Sequence, residues 1–315
     1  MNSDFTAIPE NTRWMNELRG PMELPEVSKI DEVCAVLWQR KGKRLRAQWV
    51  FWFGEAFGRS QKQLKLYAWA VEAIHAATLL HDDVIDRSSL RRGGPSANML
   101  FDNTLPILSG DYLLSDAIFQ LAENGSPLLT KLMCQAVKEV TQGEVLQYEH
   151  RYKIPEDPNY FDKLNRLKTS SLLKWASQVG AVLANDREDS ACSEFANRYG
   201  ALFQFTDDVL DLRGSSTKEA WQDIREGKVN EVLFLLLSSY PRLKKVLLEA
   251  FLTPDIRTEF LEELKYYTKQ KMFTENLEYT LERKQNECKE AMRALEPYLG
   301  KTLDKLVCLT VQRLF

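Results

Sequence analysis

The sequence has no surplus of either charge: 42 Lys and Arg stand against 45 Asp and Glu, a formal net charge of −3. A chain so balanced has no global pull toward nucleic acid or an anionic membrane, so any anion binding must come from local clusters. Cysteine is sparse. The five thiols, Cys34, Cys134, Cys192, Cys288 and Cys308, are odd in number and include no Cys-x-x-Cys pair, which argues against a disulfide framework or a zinc site and for buried or inert thiols. The opening residues Met1-Asn2-Ser3-Asp4-Phe5 lack the basic start and apolar core of a secretory signal. A run of about 18 uncharged apolar residues is also missing, and the expectation is a soluble, cytoplasmic protein with no transmembrane segment. Strand-like alternation and solenoid-length repeats are absent as well. The fold class is therefore expected to be all-α, with about a dozen helices.

What the chain does have is bulk and local chemistry. Its 315 residues, 44% of them hydrophobic, can bury a full core as one large helical unit or two smaller ones. Residues 1–20 read as an N-terminal strap, and helical patterning starts near Glu26. Residues 64–86 read as one helix that ends in Leu79-Leu80-His81-Asp82-Asp83-Val84-Ile85-Asp86. At 3.6 residues per turn His75, Asp82 and Asp86 fall within roughly 40° of one another, with Asp83 beside them. Carboxylates one turn apart repel, and a partly buried group of them calls for counter-cations such as Mg²⁺, a hard ion that prefers oxygen ligands.

One such group is equally a solvated helix end. A second copy changes the balance: Phe203-Gln204-Phe205-Thr206-Asp207-Asp208-Val209-Leu210-Asp211 repeats Asp-Asp-x-x-Asp roughly 125 residues later, and Gln204, Asp208 and Asp211 again share a helical face. Two acid-rich helix ends facing each other would hold a diphosphate through Mg²⁺, which commonly takes one or two carboxylates plus substrate phosphates.

Cations sit near both motifs. Lys41-Gly42-Lys43-Arg44-Leu45-Arg46 places four of them around a glycine just before the apolar run Trp49–Phe57, a setting for an anion at a helix N-terminus. It lacks the spacing of a P-loop, and as a bare cluster it could equally face solvent. Arg91 and Arg92 follow the first acids in a Gly- and Pro-containing break and could pair with diphosphate oxygens or with the neighbouring acids. Lys168-Thr169 offers a charge and a hydroxyl, too short a pair to be specific. Lys218 and Lys228 lie beyond the second motif, and Val232 to Phe315 reads as packed helices without a chemical motif.

Taken together these residues resemble the trans-isoprenyl diphosphate synthases, or polyprenyl synthetases, from about Gly42 to Lys228. The family's motifs occur in order: Gly42-Lys43-Arg44-Leu45-Arg46, His75, Asp82-Asp83-x-x-Asp86 with Arg91-Arg92-Gly93, Gly143-Glu144, Lys168-Thr169, and Phe203-Gln204-x-x-Asp207-Asp208-x-x-Asp211. The resemblance implies a single all-α domain over 21–315, antiparallel helices around a central cavity, and a homodimer. It implies that Asp82, Asp83, Asp86, Asp207, Asp208 and Asp211 hold Mg²⁺, a set of three ions per active site, on an allylic diphosphate such as geranyl or farnesyl diphosphate. Lys43, Arg46, His75 and Arg92 would hold isopentenyl diphosphate. Arg91, Lys168, Lys218 and Lys228 would grip the allylic diphosphate, and Thr169 and Gln204 would face the developing cation. Ala77, five residues before Asp82, and Thr78 stand where a bulky aromatic blocks elongation in short-chain members, so the resemblance implies a product longer than farnesyl.

The chain departs from the family pattern at Ala47, where a proline is usual, in the short linker from Asp211 to Lys218, and at Asn230-Glu231-Val232, where Thr-Leu-Pro is common. Three competing assignments are weaker. A class I terpene cyclase carries a different second motif, an HD-type phosphohydrolase needs more histidines than His75, His81 and His150, and a catalytically weak partner subunit of a heteromeric synthase commonly loses acids that are all present here.

Overall fold

The computed structural model describes residues 28–38, 42–91, 94–213, 221–252 and 258–314. The expected strap at 1–20, and the candidate residues Arg92 and Lys218, lie outside them. Among the described residues there are fifteen α-helices and one two-stranded hairpin, and no helix is long and apolar enough to cross a membrane. Among the described residues two compact units emerge from internal packing, those within 28–137 with 172–193 and those within 138–171 with 194–314.

In the first unit α1 (Ser28–Trp38), α2 (Leu45–Ala56) and α3 (Gln61–Ile85) precede the hairpin β1 (Leu90–Arg91) and β2 (Gly94–Pro95), the short α4 (Ala97–Phe101) and the long α5 (Thr104–Asn124). The start of α3 is written locally: Gln63 Oε1 accepts from the Ser60 N–H at 3.0 Å and from the Ser60 hydroxyl at 2.9 Å, a Ser-x-x-Gln cap. Its end is equally definite. Arg87 turns left-handed at φ 52°, and the Ser88 N–H reaches back to the Asp83 carbonyl at 2.9 Å, so the last carbonyls are satisfied by a reversing turn. The acids of the first motif therefore sit in the last turn and at the C-cap.

The hairpin pairs Leu90 with Pro95 and Arg91 with Gly94, which folds Arg91 back over the helix it has just left. Beneath the motif, Ala76, Ala77 and Leu80 of α3 pack with Val33, Cys34 and Leu37 of α1 and Leu113 of α5. Gly110 allows α5 close to α3, since a Cβ there would collide with His81 Nε2.

The second unit takes the C-terminal part of α6 (Pro127–Glu149), α7 (Tyr160–Asn165), most of α9 (Ser190–Arg213), and the shorter helices α10 (Gln222–Arg225), α11 (Glu231–Ser239), α12 (Arg242–Phe251) and α13 (Thr258–Thr268), closing with α14 (Lys271–Met292) and α15 (Glu296–Gln312). Phe205, Val209 and Leu212 of α9 pack with Val232, Leu233 and Leu236 of α11, and with Leu264, Phe273 and Leu314. Their spacing along α9 is the helical one that also brings Gln204, Asp208 and Asp211 to a common face. From Tyr160 the chain runs through α7 and a π-helical turn at Arg166–Ser170 into α8 (Ser171–Asn185).

Candidate active site

Both acid motifs end long helices, α3 and α9, where the dipole is negative and carboxylates are unfavourable without cations. Within each trio the acids are unequal. In the first unit Asp83 is fully buried while Asp82 and Asp86 are half-exposed. Arg91 accounts for the difference: its Nε donates to Asp83 Oδ1 at 2.8 Å and its Nη2 to the same oxygen. Burial works against charge on Arg91, but Asp83, Asp82 and Asp86 outweigh it and raise the affinity of the guanidinium for its proton.

The basic segment before α2 is anchored beside this helix. Arg44 takes a left-handed conformation, φ 45°, with its guanidinium 4.7 Å from the Trp38 ring and 3.8 Å from Glu72. Glu72, only 3% exposed, accepts from the Ala47 N–H at 3.1 Å. Glu72, one turn before His75 on α3, thus meets the N-terminus of α2 from within the unit. Lys43 remains exposed, and Arg46 and His75 are half-buried. Ala77 is 3% exposed within the α1–α5 cluster, and the Thr78 hydroxyl donates to the His75 carbonyl at 2.8 Å.

In the second unit Asp208 and Asp211 are buried and Asp207 is half-exposed. Asp208 accepts from Gln204 Nε2 at 2.9 Å and from the Glu231 N–H at the start of α11 at 3.1 Å. Burial first, and then the Asp223 carboxylate, push Asp208 well above the usual carboxylate range. Asp211 accepts from the Asp223 N–H at 3.4 Å, and its carbonyl from the Trp221 N–H at 2.9 Å, so it steadies the start of α10. Asn230 caps α11 by accepting from the Leu233 N–H at 2.8 Å and donates to Asp223 at 2.8 Å.

Thr169 and Gln204 are brought together: the Thr169 hydroxyl donates to Gln204 Oε1 at 2.8 Å, giving a line from Thr169 through Gln204 to Asp208. Lys168 projects from the π-helical turn onto Glu144 and onto Gln147 Oε1 at 2.9 Å. Gly143 makes that approach possible, because a Cβ there would meet Lys168 Cβ and N at 3.1 Å; π-turns of this kind recur at functional sites. Lys228 is buried and reaches Glu226 at 2.7 Å. Gly227, at φ 73°, lies under the Tyr152 ring, where a Cβ would come within 2.5 Å. Spacing did not reveal Glu72, Gln147, Asp223, Lys284 or Arg313, each of which touches a motif residue or its support from a distant part of the chain.

The donor set suits a hard divalent ion: carboxylate oxygens, with Asp82, Asp86 and Asp207 half-exposed. Among the described residues no three His, Cys, Asp or Glu side chains form a cage for a metal by themselves, so any such ion would draw further ligands from water or substrate phosphate.

Residues 27–267 match the family model described as Polyprenyl synthetase. The chain is 31% identical to heptaprenyl diphosphate synthase component 2 of Geobacillus stearothermophilus over 76% of its own length and 74% of the relative's. Among solved structures it resembles a decaprenyl diphosphate synthase from Rhodobacter capsulatus, with TM-score 0.83, 28% identity, and coverage of 96% of this chain and 94% of that one. It also resembles a polyprenyl synthase from Caulobacter crescentus CB15 complexed with calcium and isoprenyl diphosphate, with TM-score 0.81, 27% identity, and coverage of 95% and 92%.

Proposed function

From a chain that belongs to the polyprenyl synthetase family, and is therefore a trans-prenyltransferase of the polyprenyl diphosphate synthase type with the isoprenoid synthase fold, we propose the following division of labour. Isopentenyl diphosphate is bound through Lys43, Arg46, His75 and Arg92, and an allylic diphosphate, geranyl or farnesyl, through Arg91, Lys168, Lys218 and Lys228. The product is longer than farnesyl.

The family uses divalent metal, and when bound as a set of three Mg²⁺ ions it would neutralise charge developing on the diphosphate leaving group. Asp82, Asp86 and Asp207 are the ligands this reading favours, because they are the half-exposed members of their trios. Asp83, Asp208 and Asp211, each held by protein donors, orient them. That both trios serve one diphosphate rests on the family resemblance. As the allylic C–O bond breaks, Lys168 and Arg91 hold oxygens of the departing diphosphate, and the Thr169 and Gln204 dipoles face the cation. The alkene of isopentenyl diphosphate attacks that cation, and the proton it then loses passes to the released diphosphate.

The observation that carries this proposal is the repeat itself: Asp-Asp-x-x-Asp at the C-terminal ends of two long helices, each with a cation on one of its acids. A single all-α catalytic domain from residue 21 onward is part of the proposal, supported by a family match that spans 27–267. So is a homodimer, supported by the exposed apolar side chains Ile107, Leu108 and Phe119 of α5, which are 40%, 52% and 59% accessible. The Geobacillus relative is named as one component of a synthase, which makes a heteromer the second reading. Light scattering on the purified chain separates the two. For the reaction, the full chain is incubated with Mg²⁺, isopentenyl diphosphate and primers of increasing length, and products are resolved by chromatography. The expected result is a polyprenyl diphosphate longer than farnesyl; no transfer from any primer would refute an independently active synthase.

A further inference from the structure

The second acid motif carries a cation of its own, supplied from the turn that follows α15. Arg313 Nη2 donates to Asp207 Oδ1 at 2.5 Å, and its guanidinium carbon lies 5.1 Å from the centre of the Phe203 ring, one turn earlier on α9. This is not a chance surface pair. Side-chain exposure is 17% for Arg313 and 37% for Asp207, and the segment bearing Arg313 is fixed along α9 at three levels. The Tyr199 hydroxyl lies 2.9 Å from the Thr310 hydroxyl in the buried interior, Phe203 and Asp207 hold Arg313, and Arg213 Nη1 donates to the Leu314 carbonyl. Leu314 itself is buried in the core of the unit. Arg313 Nη1 is buried without a hydrogen-bond partner among the described residues. A guanidinium held this firmly, with 17% of its side chain still exposed, is a fixed positive charge on the most exposed acid of the motif.

We propose that Arg313 is a specificity-determining residue of the second motif, one that makes Asp207 a poor site for a bare divalent cation and a good one for a cation that arrives with diphosphate. This deepens the assignment of Asp207 to metal–diphosphate binding and rests on it. The physical basis is a sign difference. A fixed positive charge on the carboxylate repels an approaching Mg²⁺, yet it attracts the same ion once a diphosphate has made the complex anionic. Arginine suits the task because it is always charged and its fork can serve a carboxylate and a phosphate oxygen together.

The test is calorimetric titration of the full chain, first with MgCl₂ alone and then with inorganic pyrophosphate at saturating Mg²⁺, for wild type, Arg313→Gln and Arg313→Lys. In Arg313→Gln, Mg²⁺ alone is expected to bind about fivefold tighter, while pyrophosphate binds about tenfold weaker, the loss expected for one charge-assisted contact. Arg313→Lys keeps the charge and loses the fork: its Mg²⁺ affinity should stay within about twofold of wild type while pyrophosphate weakens several-fold. If Arg313→Gln does not fold, the Lys variant decides alone. Unchanged constants would make Arg313 a mere pin between α15 and α9, and parallel weakening of both would mean a distorted site; either result overturns the proposal. Failure of the wild type itself to bind pyrophosphate with Mg²⁺ would instead overturn the assignment on which it rests.

Discussion

Lys284, in the middle of α14 and only 3% exposed, places its ammonium 2.9 Å from Glu231 Oε1, and the backbone N–H of that same Glu231 donates to Asp208. The ammonium also lies 5.5 Å from the centre of the Phe205 ring. A lysine buried in α14 thus supports the first turn of α11, and through it the second acid motif. Glu231 is one of the residues at which the chain departs from the usual family segment.

Removal of one member of this pair should be much worse than removal of both. Lys284→Met leaves the Glu231 carboxylate largely buried beside Asp208 with no cation, a loss of about 3–5 kcal/mol for a broken buried pair. Lys284→Met with Glu231→Leu takes away both charges and should recover most of that stability. Urea unfolding of the two single variants and the double variant gives the coupling; additive losses would show that the pair is not a unit.

Asp208 should make the metal-free protein less stable as pH rises. Burial and Asp223 raise its carboxyl in the folded chain. Above about pH 4 the unfolded chain therefore gives up this proton first and binds fewer protons than the folded one, so the stability of the fold declines with rising pH until the raised folded value is passed. Asp208→Asn removes that slope. Gln204 can turn its amide to stay bonded both to Thr169 and to the introduced carboxamide. Without Mg²⁺ the variant should melt about 1–2 °C higher at pH 7, the shift that about 1 kcal/mol produces in a chain of this length, with the advantage fading near pH 4. A variant less stable at both pH values would contradict this.

Gly143→Ala tests the π-helical turn. The added methyl would meet Lys168 at 3.1 Å and Leu167 Cβ at 3.2 Å, and overpacking of this kind costs about 1–3 kcal/mol. Displacement of Lys168 by even a fraction of its contact distance should lower kcat/KM by about tenfold. Thermal melting and steady-state kinetics, read together, check both; full activity with lowered stability would free Lys168 from any role in the reaction.

Product length is expected to follow the side chain at 77. Ala77→Tyr places a phenol beneath the first motif, next to Leu80 and Leu113, and should shift products toward farnesyl length when farnesyl and isopentenyl diphosphates are supplied. Chromatography of the dephosphorylated products reads the outcome directly. An unchanged distribution from a folded variant would remove Ala77 from the path of the growing chain.

The helices and the two acid trios could be read from sequence because both are local. A period of 3.6 residues carries His75, Asp82 and Asp86 to one face of α3, and Gln204, Asp208 and Asp211 to one face of α9, whatever the rest of the chain does. The Ser60–Gln63 cap is local in the same way. The hairpin that returns Arg91 to Asp83 was less legible, since two-residue strands leave no alternation to detect.

How each acid is held was decided by tertiary structure. Spacing makes Asp82, Asp83 and Asp86 equivalent, and likewise Asp207, Asp208 and Asp211. Packing buries Asp83 against Arg91, Asp208 against the first turn of α11, and Asp211 against α10, while it leaves Asp82, Asp86 and Asp207 half-exposed. The partners that brace the second motif, above all Lys284 for Glu231 and Arg313 for Asp207, lie 53 and 106 residues away, Glu231 to Lys284 and Asp207 to Arg313. No periodicity connects residues so far apart; only the docking of α14 and α15 beside α9 and α11 gives a lysine and an arginine in motif-free sequence their charges to answer.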